Sequence, residues 1–178
     1  MLPPLLDKLQ KQIDNRQRKD LDVELLLFLD NKRRTVGSKR NDLVSLARGE
    51  YLAFVDDDDD VNDNYVDSIL EATDSDADVI VFYQKVLLND DPARTVHFGI
   101  EYENQQIAEP GTIATRKPFH CCVWKSSIAK QRKFGDQQWG EDWVWVQEVL
   151  TLVKTQYRIP LVLHTYRWSE KVSETISS

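Results

Sequence analysis

Five consecutive aspartates, Asp56 to Asp60, are the residues of this chain with the clearest potential for chemistry. They follow directly on an apolar segment, residues 51–55, which the sequence predicts to be a buried strand. Neighbouring carboxylates repel one another, and a hard divalent cation such as Mg²⁺ or Mn²⁺ prefers oxygen ligands that it can share with substrate phosphates. The run therefore predicts a cation site, with a solvated acidic loop as the alternative.

The segments around this run predict how it is positioned. Residues 23–29 form a nearly continuous apolar run, as in a strand buried on both faces, and a helix capped by Ser38 is predicted to follow up to about Arg48. Together with residues 51–55 these segments predict a βαβ unit with parallel strands. Ligands of open α/β sheets bind beyond the carboxyl ends of the strands, so we expect Asp30 and the aspartate run to open on one crevice.

The start of the predicted helix brings positive charge to the same edge of the sheet. Lys39 and Arg40 lie near free main-chain N–H groups at the helix N-terminus, which makes a seat for a diphosphate. Ordinary surface charge is the alternative for these two side chains. The acidic run at the same edge favours the diphosphate seat.

The rest of the chain predicts one α/β domain. Its apolar spacing predicts helices over residues 3–15, about 62–72 and about 141–153, with a short helix from Ser126 or Ser127. It also predicts strands over residues 78–88 and 159–168, a turn at 89–92, a hairpin return at 94–100 and a loop over 101–118. We expect a mainly parallel, Rossmann-type sheet flanked by helices with a later β-hairpin over residues 1–168, and a flexible tail over 169–178.

Composition and charge narrow the class of protein. The 178 residues are enough for one domain with a core, and the net charge of -7 argues against nonspecific binding of nucleic acid. The longest apolar runs are far too short to span a bilayer. The two cysteines, Cys121 and Cys122, are adjacent, which fits a reducing compartment better than a disulfide framework. We therefore expect a soluble, cytoplasmic protein with no membrane span.

Four sequence elements occur in a distinctive order. They are Asp30, then Gly37-Ser38-Lys39-Arg40-Asn41, then the segment from Ala47 to Asp59, and finally Trp139-Gly140-Glu141-Asp142-Trp143. Together they resemble a family 2 glycosyltransferase of the GT-A fold, in which the third element ends in an Asp-x-Asp metal motif. The resemblance implies a metal-dependent, inverting transfer of a sugar from a nucleotide-diphospho-sugar, most often a UDP-sugar, to a hydroxyl group of a glycan or another acceptor.

The resemblance also implies a role for individual residues. The residues that would contact the nucleotide-sugar are Asp30, Lys39, Arg40, Asn41, Asp56 and Asp57. Asp58 would be the direct ligand of Mn²⁺ or Mg²⁺, and His164 resembles a late histidine that contacts the metal or phosphate. Asp142 would be the catalytic base, with Glu141 beside it supporting the acceptor or loop geometry. Because the aspartates are consecutive, the register of the metal ligands can slip by one residue.

The predicted base has a physical rationale of its own. Apolar burial and the charge of Glu141 are expected to raise the pKa of Asp142, which suits a base. The alternative is a charged first helical turn favoured by the helix dipole. Trp139, Trp143 and Trp145 favour the functional interpretation because aromatic faces stack on sugar rings, although Trp145 fits the core as well.

One departure from the family pattern leaves other functions open. Residues 1–4 lead almost directly into the first helix, so the apolar strand that opens the family's domain is expected to be missing. Part of the nucleoside pocket would then be lost, or rebuilt from another segment or subunit, for which a homo-oligomer is one route. The alternatives are a catalytically degenerate module that binds nucleotide or glycan, and an acidic structural protein whose aspartates bind Ca²⁺ or a basic partner.

Overall fold

A computed structural model describes residues 2–31, 33–103 and 111–169 of the chain. The helices in this part are α1 (Leu2–Asn15), α2 (Val36–Leu46), α3 (Tyr65–Thr73), α4 (Ser126–Ala129) and α5 (Glu141–Leu150). The strands are β1 (Tyr51–Ala53), β2 (Asp60–Val61), β3 (Val79–Leu88), β4 (Asp91–Phe98), β5 (Ile113–Arg116), β6 (Val123–Lys125) and β7 (Gln156–Trp168). Apart from Ser169, the predicted tail lies outside the described residues.

Strand β3 lies at the centre of a mixed sheet. β6 and β4 pair antiparallel with successive parts of one edge of β3, and β7 runs parallel along the other edge. β1 pairs antiparallel with β6, β2 pairs antiparallel with β7, and β5 pairs parallel with β4. The α/β class with flanking helices is confirmed, but the sheet is mixed rather than mainly parallel. The reason is that the late segments β4 and β6 return beside β3 in the opposite direction.

The two faces of the sheet are covered by different helices. Side chains alternate along a strand, so Val79 and Val81 of β3 face one core while Ile80 and Phe82 face the other. The first core also receives residues of α2, α4 and α5, including Trp145. The second core receives apolar residues of α1 and α3. The sheet edge that carries the aspartate run therefore lies between two packed helical layers.

The predicted hairpin is confirmed as β3 and β4. Asn89 and Asp90 connect the strands and have φ values of 50° and 68°. Asparagine and aspartate tolerate this left-handed conformation, and two such residues in succession make a turn whose twist matches a hairpin. The predicted loop over 101–118 is wrong at its end, because Ile113–Arg116 forms β5 along the otherwise unpaired edge of β4.

The predicted strand at 23–29 is wrong. No strand is assigned between Asn15 and Tyr51 in the described ranges, although residues 23–29 have the composition of a strand. A strand forms only when its main chain finds a partner, and β1 pairs with β6 rather than with this segment. The predicted βαβ unit is therefore absent, and α2 instead follows an irregular segment.

The predicted helices are confirmed with shifted ends. Helix α2 begins three residues earlier than predicted, because the hydroxyl of Thr35 rather than Ser38 caps it by accepting a hydrogen bond from the Ser38 N–H at 3.1 Å. Helix α5 begins at Glu141, as predicted, after Gly140 in the left-handed conformation with φ of 73°. Both helix starts face the aspartate run through the side chains described next.

Candidate active site

Five charged side chains from four parts of the chain meet beyond the end of β1. This charged cluster consists of Arg40 from α2, Asp56 from the aspartate run, His120 from the segment before β6, and Glu141 and Asp142 from the first turn of α5. The three acidic groups and the two basic groups alternate in space. The cluster therefore connects the start of two helices to the start of the aspartate run.

Arg40 is the inner anchor of the charged cluster. Its Nη1 donates a hydrogen bond to Glu141 Oε1 at 2.5 Å, and its Nη2 donates to Asp56 Oδ1 at 2.7 Å. The guanidinium also lies 5.9 Å and 5.7 Å from the ring centres of Phe54 and Phe134, within the range of cation–π attraction. Arg40 is thus a buried cation whose charge is matched on two sides, rather than free surface charge.

His120 bridges the two carboxylates that were predicted for donor contact and for catalysis. Its Nε2 lies 3.2 Å from Asp56 Oδ2, and its Nδ1 lies 3.2 Å from Asp142 Oδ2. Burial alone would lower the pKa of His120, but the charge of Asp56 and the close contacts with both carboxylates raise it to about 9. His120 is therefore a cation at neutral pH.

The surroundings shift the pKa values of the two acidic residues at the start of α5 in opposite directions. Desolvation favours a higher pKa for Asp142, but its close contact with His120 and the charge of that histidine outweigh desolvation and lower the pKa. The expectation of a raised pKa for Asp142 was therefore wrong, because His120 was not foreseen. Burial instead raises the pKa of Glu141, against the opposing charge of Arg40. The lowered pKa keeps Asp142 ionised at neutral pH.

Close packing between α2 and the loop before α5 holds this geometry. A Cβ on Gly37 would stand 1.8 Å from the carbonyl oxygen of Gly135, so only glycine permits the contact. Asn41 forms two hydrogen bonds with the same loop. Its side-chain NH₂ donates to the Phe134 carbonyl at 2.8 Å, and its side-chain oxygen accepts from the Phe134 N–H at 2.9 Å. The Asn41 side chain thereby holds this loop against α2.

The aspartate run divides between different surroundings instead of forming one patch. A turn at Asp57 and Asp58, closed by a hydrogen bond from the Asp59 N–H to the Asp56 carbonyl at 3.1 Å, reverses the chain. Asp56 enters the charged cluster, whereas Asp60 joins β2 and forms an ion pair with Lys8 at 3.1 Å. The exposed Asp57 and half-buried Asp58 lie at the turn itself.

Asp59 and His164 form a second, buried pair. Their Oδ2 and Nε2 atoms lie 3.4 Å apart, and Asp59 also accepts the Arg167 main-chain N–H at 3.0 Å. Burial and the charge of Asp56 raise the pKa of Asp59 to about 8, and burial lowers the pKa of His164 to about 4. The imidazole is neutral at pH 7, and its buried Nε2 has no hydrogen-bond partner.

These residues fit a divalent cation that shares its ligands with a substrate. Within the described ranges, no group of three or more His, Cys, Asp or Glu side chains is placed to enclose a metal ion. Mg²⁺-type sites commonly use only one or two protein carboxylates together with phosphates and water. The unpartnered nitrogen of His164 beside the carboxylate of Asp59 has the donor chemistry for such a site, next to the predicted ligand Asp58.

The remaining predicted residues lie at the edges of the site. Asp30 accepts the Arg34 main-chain N–H at 2.9 Å, and Lys39 lies 3.4 Å from its carboxylate. These two predicted nucleotide contacts are therefore placed together. Trp139, just before α5, is 53% exposed, and Trp143, in the first turn of α5, is 39% exposed. Trp145 is fully buried and belongs to the core.

The sequence alone indicated no role for His120 and no particular role for Asp59. His120 lies in a short, largely apolar segment, residues 119–124, and its position as an ionisable residue inside that segment was the available signal. Asp59 could not be separated from its four neighbours by sequence, because only the turn at Asp57 and Asp58 sends it toward β7. The positions of both side chains are set by contacts with segments that are distant in the chain. His120 and Asp56 are 64 residues apart in the sequence.

Comparison with known proteins connects this arrangement to a family. The sequence model described as Glycosyl transferase family 2 matches residues 6–137, which is well over half of the chain. The chain belongs to glycosyl transferase family 2. The resemblance carried by Asp30, the α2 start and the aspartate run is thereby confirmed at the level of the family. No curated protein matches the sequence.

Solved structures of S. aureus TarS share the fold of this family 2 chain. TarS 1-349 has a TM-score of 0.57 and 15% identity, covering 92% of this chain and 48% of TarS 1-349. Its complex with UDP has a TM-score of 0.58 and 17% identity, covering 92% and 47%. Its complex with UDP-GlcNAc has a TM-score of 0.57 and 14% identity, covering 93% and 46%. The chain spans about half the length of TarS 1-349.

Among the residues described here, none of the helices combines the length and the apolar character needed to cross a bilayer.

Proposed function

We propose that this domain transfers a sugar from a nucleotide-diphospho-sugar to an acceptor hydroxyl, with inversion at the sugar C1. The observation that carries the proposal is the continuous set of contacts from Asp142 through His120 to Asp56 and Arg40. It joins the predicted base to the end of β1, where ligands of α/β sheets bind. Family membership and the UDP and UDP-GlcNAc complexes of TarS support a UDP-sugar as the donor.

In this proposal Asp142 is the catalytic base. Its Oδ1 accepts the Trp143 main-chain N–H at 2.7 Å and its Oδ2 faces His120, so the carboxylate is fixed at the start of α5. A hydroxyl is a poor nucleophile until a base removes its proton. The lowered pKa keeps Asp142 ionised at neutral pH, ready to accept that proton as the hydroxyl attacks C1. Direct attack from the opposite side of the departing diphosphate inverts the configuration.

The donor is held in the proposal by groups on the other side of the cluster. Asp30 and Lys39 lie together near the start of α2 and would contact the nucleoside and diphosphate. Asp58, Asp59 and His164 would hold Mn²⁺ or Mg²⁺, which when bound supplies positive charge for the leaving diphosphate. The exposed faces of Trp139 and Trp143 beside α5 suit stacking on a sugar ring.

A transfer assay tests the proposal. The protein is incubated with Mn²⁺, a panel of UDP-sugars and candidate hydroxyl acceptors, and release of UDP is measured. We expect Asp142→Asn to lower turnover by about 100-fold or more, as for loss of a positioned base, while the affinity for UDP stays within a few-fold. Glu148→Gln is the matched control, because Glu148 lies exposed on the same helix. Unchanged turnover in Asp142→Asn would exclude Asp142 as the base.

A degenerate binding module is the second candidate. It is favoured by one observation, which is that residues 22–29, leading to Asp30, make no main-chain hydrogen bond to the main chain of another described residue. A nucleotide contact at the end of an unpaired segment is less well fixed than one at the end of a strand. Binding of UDP without release of product from any UDP-sugar, in the wild-type protein, is the outcome that selects this candidate.

A further inference from the structure

Arg116, the last residue of β5, is a half-buried cation beside the charged cluster. The central carbon of its guanidinium lies 4.0 Å from the ring centre of Phe119. The Phe119 ring packs edge-on against the His120 ring, with the two ring centres 4.7 Å apart, and His120 Nδ1 lies 3.2 Å from Asp142 Oδ2. A continuous line of contacts therefore connects Arg116 to the residue that we propose as the base.

The charge of Arg116 is not matched by the protein. Within the described ranges, no Asp or Glu side chain lies within ion-pair distance of it, whereas the guanidinium of Arg40 is paired with both Asp56 and Glu141. Burial lowers the pKa of Arg116, against smaller opposing effects that include the charge of Asp142. Arginine is seldom buried without a partner, and the face of Phe119 offsets only part of the cost. An anion from outside the chain would complete the pairing.

The chain next to Arg116 adds positive charge rather than negative charge. Lys117 follows it, is also half-buried, and forms no ion pair with any residue that the structure describes. His120, three residues further on, is a cation at neutral pH. The whole chain has a net charge of -7, so this concentration of cations runs against its overall balance. A local positive field of this kind draws anionic ligands to the site.

The location of Arg116 favours the acceptor over the donor as the source of the anion. In the proposed function, a cation held by Asp58, Asp59 and His164 compensates the diphosphate of the donor. Among the carboxylates of the site, the one whose charge acts on Arg116 is that of Asp142. Asp142 is also the group that would take the proton from the acceptor hydroxyl. A negative group held by Arg116 would therefore lie on the acceptor side of the base.

We propose that Arg116 binds a phosphate or carboxylate group of the acceptor, so that the protein selects acceptors with a negative charge near the reacting hydroxyl. The planar guanidinium suits this task, because it donates two parallel hydrogen bonds to the oxygens of either group. Stacking on Phe119 fixes the plane of the guanidinium and leaves its edge free for the anion. The proposal rests on the proposed function, since it takes Asp142 as the base that faces the acceptor.

Calorimetric titration with a matched pair of sugars tests the proposal. The whole chain, saturated with UDP and Mn²⁺ so that the donor site is filled, is titrated with glucose 6-phosphate and with glucose, which lacks the phosphate. We expect glucose 6-phosphate to bind at least about tenfold more tightly, because a hydrogen bond to a charged group contributes that much. Equal affinity of the wild-type protein for the two sugars would overturn the proposal.

Three variants locate the binding. Arg116→Gln is expected to bring the affinity for glucose 6-phosphate to within a few-fold of that for glucose, and Arg116→Lys, which keeps the charge but not the planar group, to have an intermediate effect. Arg94→Gln is the matched control, because Arg94 lies in the first half of β4 and also forms no ion pair within the described residues. A preference for glucose 6-phosphate that is unchanged in Arg116→Gln, or is lost equally in Arg94→Gln, would overturn the proposal.

Affinities for the donor separate the acceptor from the other sources of an anion. We expect the affinity for UDP to stay within a few-fold of wild type in Arg116→Gln and Arg116→Lys, which also shows that both variants are folded. A loss of UDP affinity of about tenfold would assign Arg116 to the diphosphate, and a preference for UDP-glucuronate over UDP-glucose that Arg116→Gln removes would assign it to the donor sugar. Either result would overturn the proposal.

The titration needs no turnover, so its failure is distinct from failure of the proposed function. Transfer from a UDP-sugar by a wild-type protein that binds glucose 6-phosphate and glucose equally would overturn the role of Arg116 alone. Absence of transfer to any acceptor, with UDP bound, would count against the proposed function and remove the acceptor role of Arg116 with it.

Discussion

Asp56 and Asp59 lie three residues apart in the aspartate run, yet the fold treats their charges in opposite ways. Asp56 faces Arg40 and His120, and although burial favours the neutral acid these two cations hold its pKa well below the usual range. Asp59 faces the neutral His164, and burial raises its pKa to about 8. The protein thus supplies positive charge at one end of the turn, and a bound cation would supply it at the other.

This difference separates two tasks within one short segment. At the Asp56 end, the carboxylate is already paired with Arg40 and His120, and these ion pairs hold α2 and α5 in position. The Asp59 end holds a proton at neutral pH that a divalent cation would displace, because a coordinating carboxylate must be ionised. The following variants test this contrast, from the largest expected effect to the smallest.

Asp59→Asn is expected to stabilise the protein in the presence of a chelator. The pKa of Asp59 is raised from 3.8 to about 8 on folding, so wild-type stability falls as the pH rises through that window. At pH 8.5 the variant should unfold with a free energy on the order of 6 kcal/mol greater than wild type, since each pKa unit corresponds to about 1.4 kcal/mol. Urea unfolding at pH 8.5 and pH 4 measures the gap, which should nearly vanish at pH 4.

The same variant also tests whether Asp59 binds a cation, which its effect on stability in chelator does not show. We expect Asp59→Asn to abolish any rise in melting temperature on addition of Mn²⁺. Asp63→Asn is the matched control, because the Asp63 side chain is 91% exposed. The contrast between the two ends would be contradicted if the difference in unfolding free energy between wild type and Asp59→Asn, measured in chelator, did not change between pH 4 and pH 8.

His120→Gln is expected to destabilise the protein in the opposite pH range. The pKa of His120 is raised from 6.5 to about 9 on folding, so its contribution is fully present below pH 6.5 and is lost as the pH rises through 9. At pH 6 the variant should lose about 3 kcal/mol of unfolding free energy. Denaturation at pH 6 and pH 9.5 checks this. His97→Gln, at a histidine whose pKa burial lowers, should not share that pH dependence.

Asp56→Asn is expected to have a smaller and purely destabilising effect. The change leaves His120 and Arg40 with one carboxylate fewer, but the Asp56 side chain is 38% exposed and water compensates part of the loss. A loss of about 2 kcal/mol at pH 7 follows, in contrast to the gain in Asp59→Asn. A double variant with His120→Gln should lose less than the sum of the two single losses. If the loss in the double variant equals the sum of the two single losses, Asp56 and His120 act independently.

The sequence predicted the parts of the fold that depend on local patterns. The structure confirms the helix α1, the strand β3 and the turn at Asn89. Each of these was predicted from a pattern that is contained within its own short segment. The helix at Glu141 could also be read locally, with its acidic first turn. The pattern of residues 23–29 indicated a strand as clearly as β3 did, but strand formation depends on a neighbour that local composition does not contain.

The site was predictable only as far as its residue types. The aspartate run, Arg40 and the Glu141-Asp142 pair were each identified from motif order, and the structure brings Arg40, Asp56, Glu141 and Asp142 together. The lowered pKa of Asp142 could not be foreseen, because it depends on His120 from a segment without a motif. Likewise, the turn that separates Asp56 from Asp59 cannot be inferred from five identical residues.

The most direct test of a cation at the aspartate run is calorimetric titration of the protein with UDP, in Mn²⁺ and in chelator. We predict that UDP binds at least about tenfold more tightly with Mn²⁺, and that Asp58→Ala and Asp59→Asn remove this difference while Asp63→Asn retains it. Equal affinity for UDP in Mn²⁺ and in chelator would contradict it, because the nucleotide would then bind without a cation at this site.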